Sequence, residues 1–336
     1  MTTRLIIETG GPGITVQDMG RPGFLAFGLS RGGAADRLAL YEGAALLGQS
    51  PEHAVLEMAG MGGTFTATSD IRIALTGAPM RASIDGVNLV WNASHQLREG
   101  ETLQVGAAAL GVYGYLHIGG GIAAQSHLGA KSAHLAAGIG GPLTSGQALD
   151  IGPDNSGTTG LKLAADDRFR GGKLRLVQSL QTGFFAQEDL DRFQSTSFTR
   201  DTRGNRMGVR ILPDGDGFFS QAGLNILSEV IVPGDVQITG DGTPFVLLCE
   251  CQTTGGYPRI GSVLPSDMPK VAQARPGTSL QFEFVTLERA VAIERMESER
   301  RCALAGRALP LIRDPHDIAD LLSYQLVGGV TAGDDL

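Results

Sequence analysis

The sequence predicts a mainly β protein with a few helices, arranged as two domains. Gly supplies 49 of 336 residues, about twice ordinary usage, with no Gly-X-Y period, which points to many tight turns between short strands. Short apolar runs recur between Asp-Gly, Glu-Gly and Pro-Gly turn signals. The length, 336 residues, exceeds that of a usual single domain.

In chain order, residues 4 to 8 predict a first strand. Gly10-Gly11-Pro12-Gly13 then turns the chain into Ile14-Thr15-Val16-Gln17-Asp18-Met19-Gly20-Arg21-Pro22-Gly23, a polar trio framed by glycines. Ala34 to Leu47 has Leu38, Tyr41, Ala45 and Leu46 at helical spacing, with Asp36 in the first turn and Gly48 beyond the end, so a helix is expected. Strands at 63–67, 71–76, 87–91, 102–105 and 112–118 read as a barrel or sandwich. Residues 122–152 read mostly as loop, and the Gly-rich stretch 153–172 as the linker. A second β-rich half has strands at 174–177, 229–232, 236–239, 244–248 and 279–285, a short helix at 187–194 and a polar strand or turn at 201–210. Leu287 to Ala305 is charged and helix-favouring, with Glu297 and Arg301 spaced to pair. Pro315 to Gln325 reads as a last short helix. The expected units are 1–165, 166–286 and a helical tail, 287–336.

A formal charge of −8 and a pI near 5.3 argue against a nucleic-acid or anionic-membrane partner. No apolar run approaches a bilayer span and Met1-Thr2-Thr3-Arg4 enters an extended segment, so a soluble, cytoplasmic protein is expected. Cys249, Cys251 and Cys302 are too few for a disulfide framework and are expected as reduced, buried thiols. The six His show no zinc-type spacing with Cys, so no metal site is predicted.

Gly28-Leu29-Ser30-Arg31-Gly32 matches the Gly-x-Ser-x-Gly nucleophile elbow. The chain lacks the alternating strands and helices that such an elbow needs, and a turn holding Arg31 and Asp36 is favoured. Gly129-Ala130-Lys131-Ser132 is like the end of a phosphate-binding loop, but Gln125 stands where the earlier Gly is required. What survives is a set of Gly-framed polar clusters: Gln17-Asp18-Arg21, Gly33 with Asp36, Lys131-Ser132, Asn205-Arg206, Gln237, and Gln252-Thr253-Thr254-Gly255-Gly256-Tyr257. In the last, an apolar strand delivers hydroxyl and amide groups to a turn where the Gly pair permits close approach. These groups suit a small polar ligand with carboxylate, amide or ureido groups. Arg206 and Lys131 can neutralise a developing anion, and Asp18 or Asp267 can orient a donor. A structural ion pair competes with a binding role for each Arg, and turn capping for Asp18.

Thr15 to Gly23, Gly33-Ala34-Ala35-Asp36, Leu56-Glu57, Gly119-Gly120-Gly121, Asn205-Arg206-Met207-Gly208 and Gln252 to Pro258 together resemble the biotin-dependent carboxyltransferase family of allophanate hydrolase subunit 2. The likeness runs from about residue 4 to 286. It implies two cyclophilin-like β-barrel subdomains that pair with a second subunit. The expected site has Asp18, Arg21, Arg206 and Tyr257 in catalytic roles. Gln17, Gly33, Asp36, Lys131, Ser132, Asn205, Gln237, Gln252, Thr253, Thr254, Gly255 and Gly256 would line it. One loop departs: where the family usually shows Gly-Ser-Arg-Ser-Thr, this chain has Gly129-Ala130-Lys131-Ser132-Ala133. Lys131 keeps a charge but not the bidentate fork.

Neither a Met-Lys-Met biotinylation tripeptide nor an ATP-binding module is found in the sequence, so ATP or biotin would act through partners. The favoured expectation is a subunit of an ATP-dependent 5-oxoprolinase complex that opens 5-oxoproline to glutamate, with the A and B subunits as partners and no covalent cofactor. The alternatives are a carboxyltransferase component acting on urea or a related amide, with biotin on a partner, and a non-catalytic regulator that binds a kinase-inhibitor-type protein.

Overall fold

The computed structural model describes residues 2–155, 157–221, 227–312 and 316. Its first half is two sheets sharing one core. One sheet runs in spatial order 148–150, 4–10, 63–67, 102–108, 80–84, 87–88, and the other 14–17, 55–59, 113–118, 71–77, 93–97, 161–162, 309–310. Leu5, Phe65 and Leu103 of the first meet Leu56, Ile73 and Leu116 of the second. Alternation along Arg4–Gly10 sends Leu5 and Ile7 inward. The strands Ile71–Gly77 and Tyr113–Ile118 are buried at every position because helix α1 (Arg37–Leu47) covers their second face.

Helix α1 begins where Asp36 Oδ1 accepts from the N–H groups of Leu38 and Ala39, at 3.1 and 3.3 Å. It ends at Gly48, in the left-handed region at φ 62°. Gly43, in its middle, lies against the ring of His117, and an added Cβ would run into that ring. His117 Nε2 is 2.7 Å from Thr76 Oγ1, and full burial pushes its pKa down to about 3, so the ring is neutral.

The second half is a closed seven-stranded barrel, in order 172–177, 259–263, 235–238, 244–247, 208–213, 198–205, 279–284. Pairing is antiparallel except between Gly172–Val177 and Ser279–Phe284. Helix α2 (Gln187–Ser195) plugs the barrel with Phe193, whose ring centroid is 4.7 Å from Phe282, 5.0 Å from Phe198 and 5.1 Å from Phe218. Each such ring contributes about 1.5–3 kcal/mol on burial.

Two short elements lock the halves together. Helix α3 (Met268–Gln273) ends on Gln273, which is fully buried. Its Oε1 accepts from the N–H of Val112 and of Tyr113, and its Nε2 donates to Asp36 Oδ2 and the Tyr113 carbonyl, all at 2.8 to 3.0 Å. Arg168 donates to Asp36 Oδ2 at 2.8 Å and to both Glu42 oxygens at 2.9 and 2.7 Å. The stretch 153–172, read from sequence as a linker, thus carries a buried anchor. Helix α4 (Leu287–Cys302), capped by Thr286, packs Ala290 and Ile293 on Leu264 of the second half. Arg300 there binds Asp166 at 2.8 Å.

Other sequence expectations shift. The strand expected over 87–91 is confined to Val87–Asn88, because Trp91 turns to donate its Nε1–H to the Gly77 carbonyl at 3.1 Å. Glu297 pairs with Arg300 instead of Arg301, which lies 5.5 Å from the Tyr41 ring. Cys302 is exposed, not buried. Apart from His316, the helix expected over 315–325 and the chain end lie outside the described residues. No described helix is long and apolar enough to cross a membrane.

Candidate functional site

The strand Ile14–Gln17 delivers Asp18 and Arg21 to a turn beside the loop 127–134. Asp18 accepts from the N–H of Gly20 at 2.8 Å and of Lys131 at 2.6 Å. Arg21 is 1% exposed. Its Nη2 donates to the Ser132 carbonyl and, at 3.3 Å, to Ser132 Oγ. The altered loop is therefore held through its main chain and Ser132, which explains how it tolerates Ala130, Lys131 and Ala133. The Lys131 ammonium turns away, to the Ile122 carbonyl at 3.2 Å. Gly33, at φ 80°, allows its Cα to sit against the Gly20 N–H and the Asp18 carbonyl, where a Cβ would come within 2.6 and 2.8 Å.

Arg206 enters this cluster from the second half, at a hairpin between Phe198–Asn205 and Gly208–Pro213. Asn205 itself is exposed and accepts from the Met207 N–H at 2.8 Å, shaping the turn. The Arg206 guanidinium donates to Glu250, Glu57 and the Gly33 carbonyl. Burial opposes its charge, but Cys249, Glu57 and Glu250 outweigh burial and raise its pKa. Glu57 Oε2 in turn accepts from Tyr115 Oη at 2.7 Å and the Ala35 N–H at 2.8 Å. Tyr115 Oη accepts from the Asp36 N–H at 2.8 Å. A continuous buried chain of polar contacts thus runs from Glu250 to Arg168. Asp36, expected as a ligand-binding residue, spends both carboxylate oxygens within it and on the helix cap. Asp267, expected to orient a donor, holds Arg175 at 2.7 Å.

Ser30 of the nucleophile-elbow match is buried with its Oγ 3.0 Å from His134 Nε2, and Glu250 Oε2 lies 3.8 Å from His134 Nδ1. Order along this line resembles a Ser-His-Glu triad, but the proton is on the wrong nitrogen. His134 Nδ1 accepts from the Ala137 N–H at 3.2 Å, so in the neutral ring Nε2 is the donor to Ser30. A donor cannot take the hydroxyl proton. Burial holds the His134 pKa below its ordinary value and keeps the ring neutral. Burial also pushes the Cys249 and Cys251 thiols up to about 11 and about 12, which removes them as thiolate nucleophiles.

The remaining predicted residues gather elsewhere. Thr254–Gly255 pairs with Glu229–Val230, and the Thr253 carbonyl accepts from the Ile231 N–H at 3.0 Å. Gln237 is buried beneath Gly255, where a Cβ would come within 2.6 Å of its Nε2. Gln252 is exposed and Tyr257 is 46% exposed, beside Gly256. Among the described residues no hydrogen bond or ion pair joins this hairpin to the Asp18 and Arg21 cluster. The chain from Arg206 through Glu250 to Cys251 connects them. Each cluster keeps unpartnered buried polar atoms: Arg21 Nη1 and Gln17 Oε1 in one, Gln237 Nε2 in the other. Such atoms suit a ligand or an ordered water. Sequence reasoning assigned no role to Glu57, Glu250, His134, Arg168 or Gln273. Glu57 stood inside the Leu56-Glu57 motif, and its acidic character in an apolar strand was the available signal.

The carboxyltransferase domain family, subdomain A and B, matches residues 27–284, and the chain belongs to it. It is 32% identical to the C subunit of 5-oxoprolinase from Haemophilus influenzae over 291 residues, covering 84% of this chain and 91% of that protein. The Escherichia coli protein of the same name is 33% identical over 285 residues, covering 82% and 90%. Among solved structures, TTHA0988 superposes with a TM-score of 0.76 at 30% identity, over 84% of this chain and 56% of its own. The Kluyveromyces lactis urea carboxylase gives 0.81 at 21% identity, over 93% of this chain and 31% of its own, and shares the fold.

Proposed function

We propose that this chain is a subunit of an ATP-dependent 5-oxoprolinase complex, opening 5-oxoproline to glutamate together with the A and B subunits as partners. The observation that carries the reading is coverage. The chain spans nine tenths of two bacterial proteins named as the C subunit of 5-oxoprolinase, but 31% of the urea carboxylase. ATP would enter through the complex. Asp18 and Arg206 act in this reading by shaping the site, since Asp18 is taken up by backbone N–H groups and Arg206 by two carboxylates. Tyr257, exposed beside Gly256, would face the substrate or a partner subunit.

The test compares substrates. The chain combined with its partner subunits and ATP is offered 5-oxoproline in one arm and urea with bicarbonate and a biotinylated partner in the other. Glutamate release in the first arm alone is expected. Turnover of urea alone would replace this reading with the carboxyltransferase one.

A further inference from the structure

A cavity of ≈ 230 Å³ lies between α1, the second half and α4, next to the buried cluster above, which it touches at Ala35 and Cys249. Its floor is apolar, with Met19, Leu38, Leu248 and Met268, and its wall carries three guanidiniums, Arg31, Arg37 and Arg301. Arg31 Nε donates to the Met19 carbonyl at 2.8 Å, and Arg301 lies over Tyr41. Among the described residues no carboxylate is within ion-pair distance of any of the three. Glu297, on the same wall, is engaged by Arg300 at 3.4 Å. Three cations against one carboxylate leave the cavity with a formal charge of +2. Burial, then Arg31, depress the Arg37 pKa, and Arg301 adds to the effect.

Such an arrangement is costly without a counter-ion. Like charges around a partly enclosed, apolar-floored space repel more strongly than in water. The N–H groups of Leu38 and Ala39 at the α1 N-terminus are already satisfied by Asp36, so recognition of an anion would fall on the guanidiniums. Guanidinium forks match carboxylate and phosphoryl oxygens bidentately. The volume lies below the ~300–1,000 Å³ that encloses drug-sized ligands, which fits a compact metabolite. Arg301 and Glu297 come from α4, beyond the residues 27–284 that match the family.

We propose that this cavity binds a small organic oxyanion, its carboxylate or phosphoryl group clamped by Arg37 and Arg301 and its body resting on the Met19, Leu38 and Met268 floor. The proposal deepens the 5-oxoprolinase reading and rests on it for the source of the ligand, 5-oxoproline or glutamate for a carboxylate and ATP for a phosphoryl group.

The experiment is isothermal titration of the full chain with inorganic phosphate, ATP, 5-oxoproline and glutamate, each at low and high salt. Saturable binding of at least one anion is expected, weakened tenfold or more by Arg37→Gln and by Arg301→Gln, with partial recovery in Arg37→Lys. Circular dichroism and melting confirm that each variant is folded, and both side chains are only half-buried. Binding of ATP and phosphate alone assigns a phosphoryl ligand, and binding of 5-oxoproline or glutamate assigns a carboxylate. No saturable binding by the unaltered chain, or equal binding by both glutamine variants, overturns the proposal. Anion binding by a chain that supports no glutamate release would instead refute the functional reading and leave the cavity standing.

Discussion

Replacing Arg206 with Met tests the buried junction on which the candidate site is built. The side chain is 8% exposed and its guanidinium lies between Glu57 and Glu250, each 2% exposed or less. Removing it strands two carboxylates and leaves the Gly33 carbonyl without this donor. Breaking one buried ion pair by deleting a partner costs about 3–5 kcal/mol, mostly the penalty of the uncompensated charge. We therefore expect a loss of at least ~3 kcal/mol, since the two stranded charges do not add independently. At about 2–4 °C per kcal/mol for large domains, the first melting transition should fall by about 10 °C. Differential scanning calorimetry with urea titration measures this. The double variant Arg206→Met with Glu250→Gln removes one stranded charge and should recover part of the loss. A Met variant that melts within about 2 °C of the unaltered protein would refute the junction. Loss of activity in Arg206→Ala would therefore report the fold as much as the chemistry.

Further outcomes follow from the packing. His117 is neutral in the fold with a pKa near 3, whereas the unfolded imidazole titrates near 6.5. The unfolded state therefore binds the extra proton as pH falls, and the stability present above pH 6.5 is lost progressively toward pH 3. Between pH 7 and 5 the loss should be about 2 kcal/mol and should vanish in His117→Gln; identical pH slopes in urea titrations of the two proteins would contradict it. Gly43→Ala gains about 0.8–1.0 kcal/mol of helix propensity. Its Cβ would nevertheless meet the His117 ring, so a net loss of about 1–3 kcal/mol is expected by thermal melting, and a stabilised variant would refute the contact. Gln273→Ala strips hydrogen bonds from the buried Tyr113 N–H and the Val112 N–H, at about 1–3 kcal/mol for each group left unsatisfied. Amide exchange should quicken along 112–118 and α3, and unchanged protection would show that the halves are held elsewhere.

Local structure was legible where a few neighbouring residues decide it. The α1 helix followed from its periodicity, the Asp36 cap and Gly48, and the short strands from alternation between Gly turns. Sequence was silent wherever partners are distant in the chain. Arg206 meets Glu57 across 149 positions, and Gln273 meets Asp36 across 237. Nothing local distinguishes these side chains from solvated ones, because their burial arises only when the halves close. The same reason explains the misread linker, whose Gly-rich composition hid Arg168. It also explains Asp36 and Lys131, whose residue types suit a ligand but whose hydrogen bonds turn to α1, Arg168 and the Ile122 carbonyl. The motif order identified the family from residues scattered along the chain, while the triple of Arg31, Arg37 and Arg301 carried no sequence signature at all.

The most direct measurement of the central claim is an omission and add-back assay. The A and B partner subunits are incubated with ATP and 5-oxoproline, and glutamate is quantified before and after this chain is added. The account predicts ATP-dependent glutamate release that appears only on addition. Equal release with and without the chain, or none in the complete mixture under conditions where all components are folded and associated, would contradict it.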